Sequence, residues 1–132
     1  MILVDTSVLI DILAGDGSWS ERSLRAFEEA SANDRLSVND IVYAELSPGY
    51  DTMDALDRAL EPLGITHAPL PKLALFLAGQ AFQAYRRRGG ARTTILPDFL
   101  IGAHALVEDA AVLTRDPDRI GSYFPTVMLI SP

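Results

Sequence analysis

The feature that most narrows the fold is the alternation, along the whole chain, of short unbroken apolar runs with longer stretches of helical spacing. Residues 1–4, Met-Ile-Leu-Val, form an apolar run that stops at Asp5, as a strand covered on both faces in a parallel sheet would. Val8, Leu9, Ile12 and Leu13 then follow at one-face spacing before Gly15, Asp16 and Gly17, predicting a helix over 6–14 and a loop. A second helix is expected over 20–30, burying Leu24 and Phe27 and turning Glu21, Arg25, Glu28 and Glu29 to water. Residues 36–38 read as the second strand. Asn39 is a good N-cap for a short helix with Ile41, Val42 and Leu46 on its apolar side, closed by Pro48-Gly49.

Asp51 is expected to cap a helix carrying Met53, Leu56 and Leu60, and Pro62 to Gly64 lead into a brief third strand over 65–67. The clearest helical stripe comprises Leu73, Phe76, Leu77, Gln80, Ala81, Ala84 and Tyr85, read as core or as a dimer face. A connection is expected over 92–96. Pro97-Asp98 open a helix through Phe99, Leu100, Ala103, Leu106 and Val107, and strands over 111–114 and 127–130 complete the set. Strands alternating with helices make a parallel α/β sheet with right-handed crossovers the economical arrangement.

With 132 residues and 48% hydrophobic content, the chain is expected to form one domain, residues 1–132, around one core. It has no cysteine, which excludes disulfides, thiolate metal sites and a cysteine nucleophile and is compatible with a reducing cytoplasm. Asp5 and Asp11 interrupt the apolar start, so a secretory leader is not expected. No apolar stretch approaches the ~20 residues of a membrane span. The net charge of −7 argues against indiscriminate nucleic-acid binding. Only a local patch, Arg86-Arg87-Arg88 with Arg92, offers clustered positive charge, and it would also offset the dipole at a helix end stopped by Gly89-Gly90.

Asp5, Glu45, Asp98 and Asp116 each stand at the margin of an apolar element. Singly, each has an ordinary explanation: Asp5 and Asp98 as helix caps, Asp116 in an Asp-Pro turn, Glu45 in solvent. In an open parallel sheet, however, ligands gather outside the carboxyl ends of the strands, where all of them can meet. Carboxylates grouped without a basic partner repel one another unless a divalent cation lies between them, and hard oxygen ligands suit magnesium or manganese.

Asp5-Thr6-Ser7 after a strand, Glu45 within Val-Tyr-Ala-Glu-Leu, Pro97-Asp98-Phe99-Leu100-Ile101-Gly102-Ala103-His104 and Thr114-Arg115-Asp116 occur in that order. Together they resemble the PIN-domain nucleases, and among them the toxins of VapBC-type toxin–antitoxin pairs. The resemblance runs over essentially the whole chain. It implies a PIN-like α/β/α sandwich with a central parallel five-stranded sheet, and a catalytic set of Asp5, Glu45, Asp98 and Asp116. It implies a cytoplasmic endoribonuclease dependent on one or two Mg2+ or Mn2+ ions, often a homodimer, held inactive by a VapB-like antitoxin.

On this reading Asp5 and Asp98 are the primary metal ligands, Asp116 completes the site, and Glu45 serves a second ion or orients the attacking water. Thr6, Ser7 and Thr114 are candidate hydroxyl partners of the ligands. Asp118 is expected in solvent. Cleavage by metal-activated water would leave 5′-phosphate and 3′-hydroxyl ends on the RNA. Neither His67 nor His104 is needed, and His104 is expected to be a packed or capping residue. Arg86, Arg87, Arg88, Arg92 and Arg115 are candidate phosphate contacts.

Rival readings fit less well. A haloacid-dehalogenase-like phosphatase needs a second acid where Ser7 stands, and a receiver domain needs a late lysine, whereas the only lysine is Lys72. A P-loop fails for want of its Gly-rich run. A catalytically degenerate PIN-like module that binds protein partners remains as the non-enzymatic alternative.

Overall fold

β1 (Ile2–Val4) occupies the centre of a five-stranded, all-parallel sheet. β2 (Leu36–Asn39) and β3 (Thr66–Ala68) lie on one side of it and β4 (Ala111–Leu113) and β5 (Leu129–Ile130) on the other, giving the order β3-β2-β1-β4-β5. The computed structural model describes residues 1–93 and 96–132. The connection expected over 92–96 contains Thr94 and Ile95, which lie outside the described residues. In register, Leu3 sits between Ser37 of β2 and Val112 of β4. Every residue of β1 is buried, which is why its sequence is an unbroken apolar run: helices cover both faces.

Between β1 and β2 come α1 (Thr6–Ala14) and α2 (Ser20–Asn33); between β2 and β3 come α3 (Asp40–Leu46) and α4 (Met53–Leu60), each followed by one turn of 3-10 helix. The return from β3 to β4 runs through α5 (Lys72–Arg87) and α6 (Pro97–Glu108), and α7 (Pro117–Gly121) joins β4 to β5. Right-handed crossovers put the helices before β3 on one face and those after it on the other. The strand order reverses between β1 and β4, and that crevice is where such a sheet receives its ligand.

Several expectations shift in detail. The cap of α4 is Thr52, whose hydroxyl accepts from the Ala55 amide at 3.1 Å, not Asp51, which lies one residue too early to reach that donor. β3 begins at Thr66 rather than Ile65 and is an exposed edge strand. The Asp116-Pro117 pair is not a mere turn: Pro117 opens α7 from its first position, where its missing N–H costs nothing. On α2 the buried positions are Ser23, Phe27 and Ala30, while Leu24 stays exposed. The stripe is rotated by one residue because the Ser23 hydroxyl is needed by a buried acid, described below.

The largest difference is on α5. Its fully buried positions are Ala74 and Ala78, whose small side chains let the helix pack along α6. Leu77, Ala81, Phe82 and Tyr85 pack against the core from its edge, whereas Leu73 and Phe76 are 56% and 64% exposed. The predicted stripe is therefore split between core and surface. Asn39, by contrast, caps α3 as expected, its Oδ1 accepting from the Val42 amide at 3.0 Å.

Gly102, in the middle of α6, has a packing reason: a Cβ there would lie 2.3 Å from the ring of buried Phe124. Gly102→Val is expected to lower unfolding free energy by roughly 1–3 kcal/mol through overpacking. A thermal melt equal to that of the parent chain would show instead that the ring moves aside freely.

Candidate active-site crevice

The backbone amide of Asp5 donates to the Leu113 carbonyl at 2.9 Å, so the chain leaves β1 already tied to the end of β4. Asp5 is 8% exposed. One of its oxygens caps α1 by accepting from the Thr6 amide at 2.8 Å, and the other accepts from the hydroxyls of Thr114 at 2.8 Å and Ser7 at 3.1 Å. The Thr114 hydroxyl in turn accepts from the Asp116 amide at 3.0 Å, and the Ser7 hydroxyl from the Arg115 amide at 3.3 Å. Glu45, on the exposed side of α3, accepts from the Thr6 hydroxyl at 2.8 Å. The three hydroxyls singled out in the sequence thus join Asp5 to Glu45 and to the turn that carries Asp116.

Asp98 stands in the first turn of α6, a quarter exposed, with the Arg119 guanidinium 3.9 Å away. Burial, and after it the negative charge of Asp5, hold its carboxyl above its ordinary pKa; Arg119 pulls the other way, and Asp116 and Glu45 add to the rise. The field at Asp98 is therefore shaped by all three other acids of the set. As placed, and among the described residues, no three acidic or histidine side chains draw close enough to enclose one ion; like charges with only one guanidinium beside them stand apart. The donors that act on Asp98 are hard oxygens, the chemistry that suits Mg2+ or Mn2+.

Other residues fall elsewhere. Asp118 is exposed on α7. His104 is 1% exposed within the core, and its burial pushes its pKa down, so it is neutral at pH 7. His67 pairs with Asp40 at 2.5 Å on the β3 edge. Arg86 and Arg87 are exposed in the last turn of α5, which ends where Gly89 takes φ 87°. Arg86 donates to the Arg92 carbonyl, and Arg92 faces Asp98 across a cleft.

Arg115, a candidate phosphate contact, is committed inward. Its guanidinium donates to Asp11 at 2.8 Å and lies over the Trp19 ring, 4.7 Å from the centroid. Asp11 is 8% exposed and also accepts from the Ser23 hydroxyl at 2.6 Å. This network was missed in the sequence, although an acid amid the apolar positions of α1 was its signal. It ties α1 and α2 to the turn between Thr114 and Asp116, and so positions Asp116.

The structure is thus a parallel sheet whose adjacent central strands, β1 and β4, are each followed by an acid, Asp5 and Asp116, joined through the Thr114 hydroxyl. The PIN domain family matches residues 2–121, a span containing all four acids, and the chain belongs to that family. No curated protein matches the sequence. Solved structures with the same fold include VapBC2 from Rickettsia felis bound to a promoter DNA fragment, with TM-score 0.73, 19% identity and coverage of 99% of this chain and 98% of that one. VapBC-1 from nontypeable Haemophilus influenzae gives TM-score 0.73, 21% identity and coverage of 99% and 98%. FitAcB from Neisseria gonorrhoeae gives 0.67, 22%, and coverage of 98% and 96%.

Two outcomes are expected. Because the folded state holds the Asp98 proton more tightly than the unfolded chain does, ionised Asp98 destabilises the metal-free fold above the carboxylate range, and the burden disappears in acid. Asp98→Asn should therefore raise the melting temperature in EDTA at pH 7 and lose that advantage as pH falls; equal melting at pH 7 would count against a strained charge. Arg115→Met leaves Asp11 with Ser23 alone and should cost roughly 1–3 kcal/mol in urea unfolding. Adding Asp11→Leu should recover part of that loss, and simple additivity of the two would show that they are not coupled.

Proposed function

We propose that the protein is a Mg2+- or Mn2+-dependent endoribonuclease, the toxin of a VapBC-type pair, acting in the cytoplasm. The observation that supports the reading is that Asp98 feels the charges of Asp5, Asp116 and Glu45, which with burial hold its carboxyl above its ordinary pKa, while Thr6 and Thr114 link the other three acids by hydrogen bonds. A divalent ion there would supply positive charge to a phosphodiester and lower the pKa of water. Asp5, Asp98 and Asp116 would hold it; the Thr114 and Ser7 hydroxyls fix the Asp5 carboxylate; Glu45, which accepts from the Thr6 hydroxyl, would orient water for in-line attack. The products are a 5′-phosphate and a 3′-hydroxyl, and the 2′-hydroxyl takes no part. Arg88, Arg92 and Arg119, near the crevice, are better placed for RNA phosphates than Arg115.

The partner reading rests on surface chemistry and on the VapBC complexes that share the fold. An antitoxin arginine would pair bidentately with the crevice carboxylates. Exposed Ile10, with Leu13, Ala14, Leu46 and Tyr50, lines an apolar groove suited to a partner helix. The exposed Leu73, Leu75 and Phe76 of α5 suit a second copy of the chain. Among the described residues no helix is long and apolar enough to cross a membrane.

The test is incubation of antitoxin-free protein with total bacterial RNA and Mg2+ or Mn2+, with new 5′-phosphate ends mapped. Discrete cuts lost in EDTA and in Asp98→Asn are expected, together with a Mn2+-induced rise in melting temperature that Asp98→Asn abolishes. Absence of both cleavage and metal binding would instead favour a degenerate module that binds protein partners.

A further inference from the structure

Beside the acids opens a cleft of about 430 Å³ whose composition the metal chemistry does not explain. Glu45 and Asp98 form one wall; the others come from Tyr85 of α5, from Arg92 in the connection after it, and from Arg119, Ser122 and Tyr123 in and after α7. Tyr85 and Tyr123 are half-buried with ring centroids 6.3 Å apart, and buried Phe99 backs both, meeting Tyr123 edge-on at 5.0 Å. Gly90 keeps the chain tight against Tyr85, where a Cβ would come within 2.3 Å of the ring. The Arg88 guanidinium lies over Tyr123, 5.1 Å from the centroid. In a chain of net charge −7, this is a local concentration of arginine and tyrosine that opens directly onto the acids.

Aromatic rings and guanidinium groups are the chemistry that receives an unstacked nucleobase, since every base has a π-face and its phosphates are anionic. We infer that this cleft is a nucleobase subsite: the base of a nucleotide beside the cleaved bond of single-stranded RNA leaves its own stack and packs against Tyr85 and Tyr123, with Arg92 and Arg119 on its phosphates. The inference rests on the nuclease reading above and deepens it by giving one base beside the cleaved bond a defined place on this protein. A base paired in a duplex cannot enter. Tyr123 is then a specificity-determining residue that leaves the metal ligands untouched.

The test needs no turnover. In EDTA, binding of a labelled six-nucleotide RNA is followed by fluorescence anisotropy, and the same RNA is then supplied with one abasic site moved through its length. Loss of the base at one position should weaken binding to the parent chain roughly tenfold, and should cost nothing in Tyr123→Leu, which keeps apolar packing but removes the ring. Mn2+-induced stabilisation should survive in that variant. Equal affinity for every abasic RNA would overturn the subsite, and so would unchanged base dependence in both Tyr123→Leu and Tyr85→Leu. If a leucine variant fails to fold, the abasic scan on the parent chain decides alone. Parent-chain cleavage of RNA in Mn2+ without base dependence would remove the subsite and leave the nuclease; base dependence without cleavage of any RNA would remove the nuclease and leave a base-binding cleft.

Discussion

The hydrogen bond from the Thr114 hydroxyl to the Asp5 carboxylate joins residues 109 apart in sequence, and the site is organised around it. It exists because β1 and β4 are neighbours in the sheet, with Val4 opposite Leu113. Were the strands ordered as they occur along the chain, β4 would lie far from β1 and Asp5 would face solvent alone. The reversal of strand order makes the carboxyl ends of two adjacent strands the floor of a crevice, and the helices that follow them supply its rim.

Asp5 combines two duties that bear on each other. As the cap of α1 it satisfies an amide at the helix N-terminus, where negative charge is favoured. As a wall of the crevice it raises the cost of ionising Asp98. The fold therefore tolerates one carboxylate because a helix end and two hydroxyls hold it, and carries the other under electrostatic load. Arg119, on a helix of five residues, gives only distant relief.

Much of this was legible in the sequence, and the reason is physical. Strands covered on both faces are rich in apolar residues, so Ile2 to Val4 and Ala111 to Leu113 declare themselves, and the acids that stop or follow them mark the sheet's ligand end. What escaped depends on tertiary partners. Local patterning favours Leu24 over Ser23 as the inward residue of α2, but Ser23 turns in and donates to Asp11, which Arg115 reaches from the other end of the chain. The periodicity of α5 is genuine, but a helix that packs along α6 through Ala74 and Ala78 leaves some of its large apolar residues outside. Arg119 and Tyr123 could not be assigned to the crevice while the segment after Asp116 read as a turn.

The placement of β4 also makes the centre of the sheet the most non-local part of the molecule. β1 pairs with β2 across a loop of modest length, whereas its pairing with β4 closes most of the chain and carries the larger closure entropy. Without β4 in place, Asp5 would lack the Thr114 hydroxyl that holds its carboxylate and the turn that carries Asp116. The crevice is therefore only as sound as the β1–β4 seam that forms its floor, and any opening of that seam separates the groups it holds together.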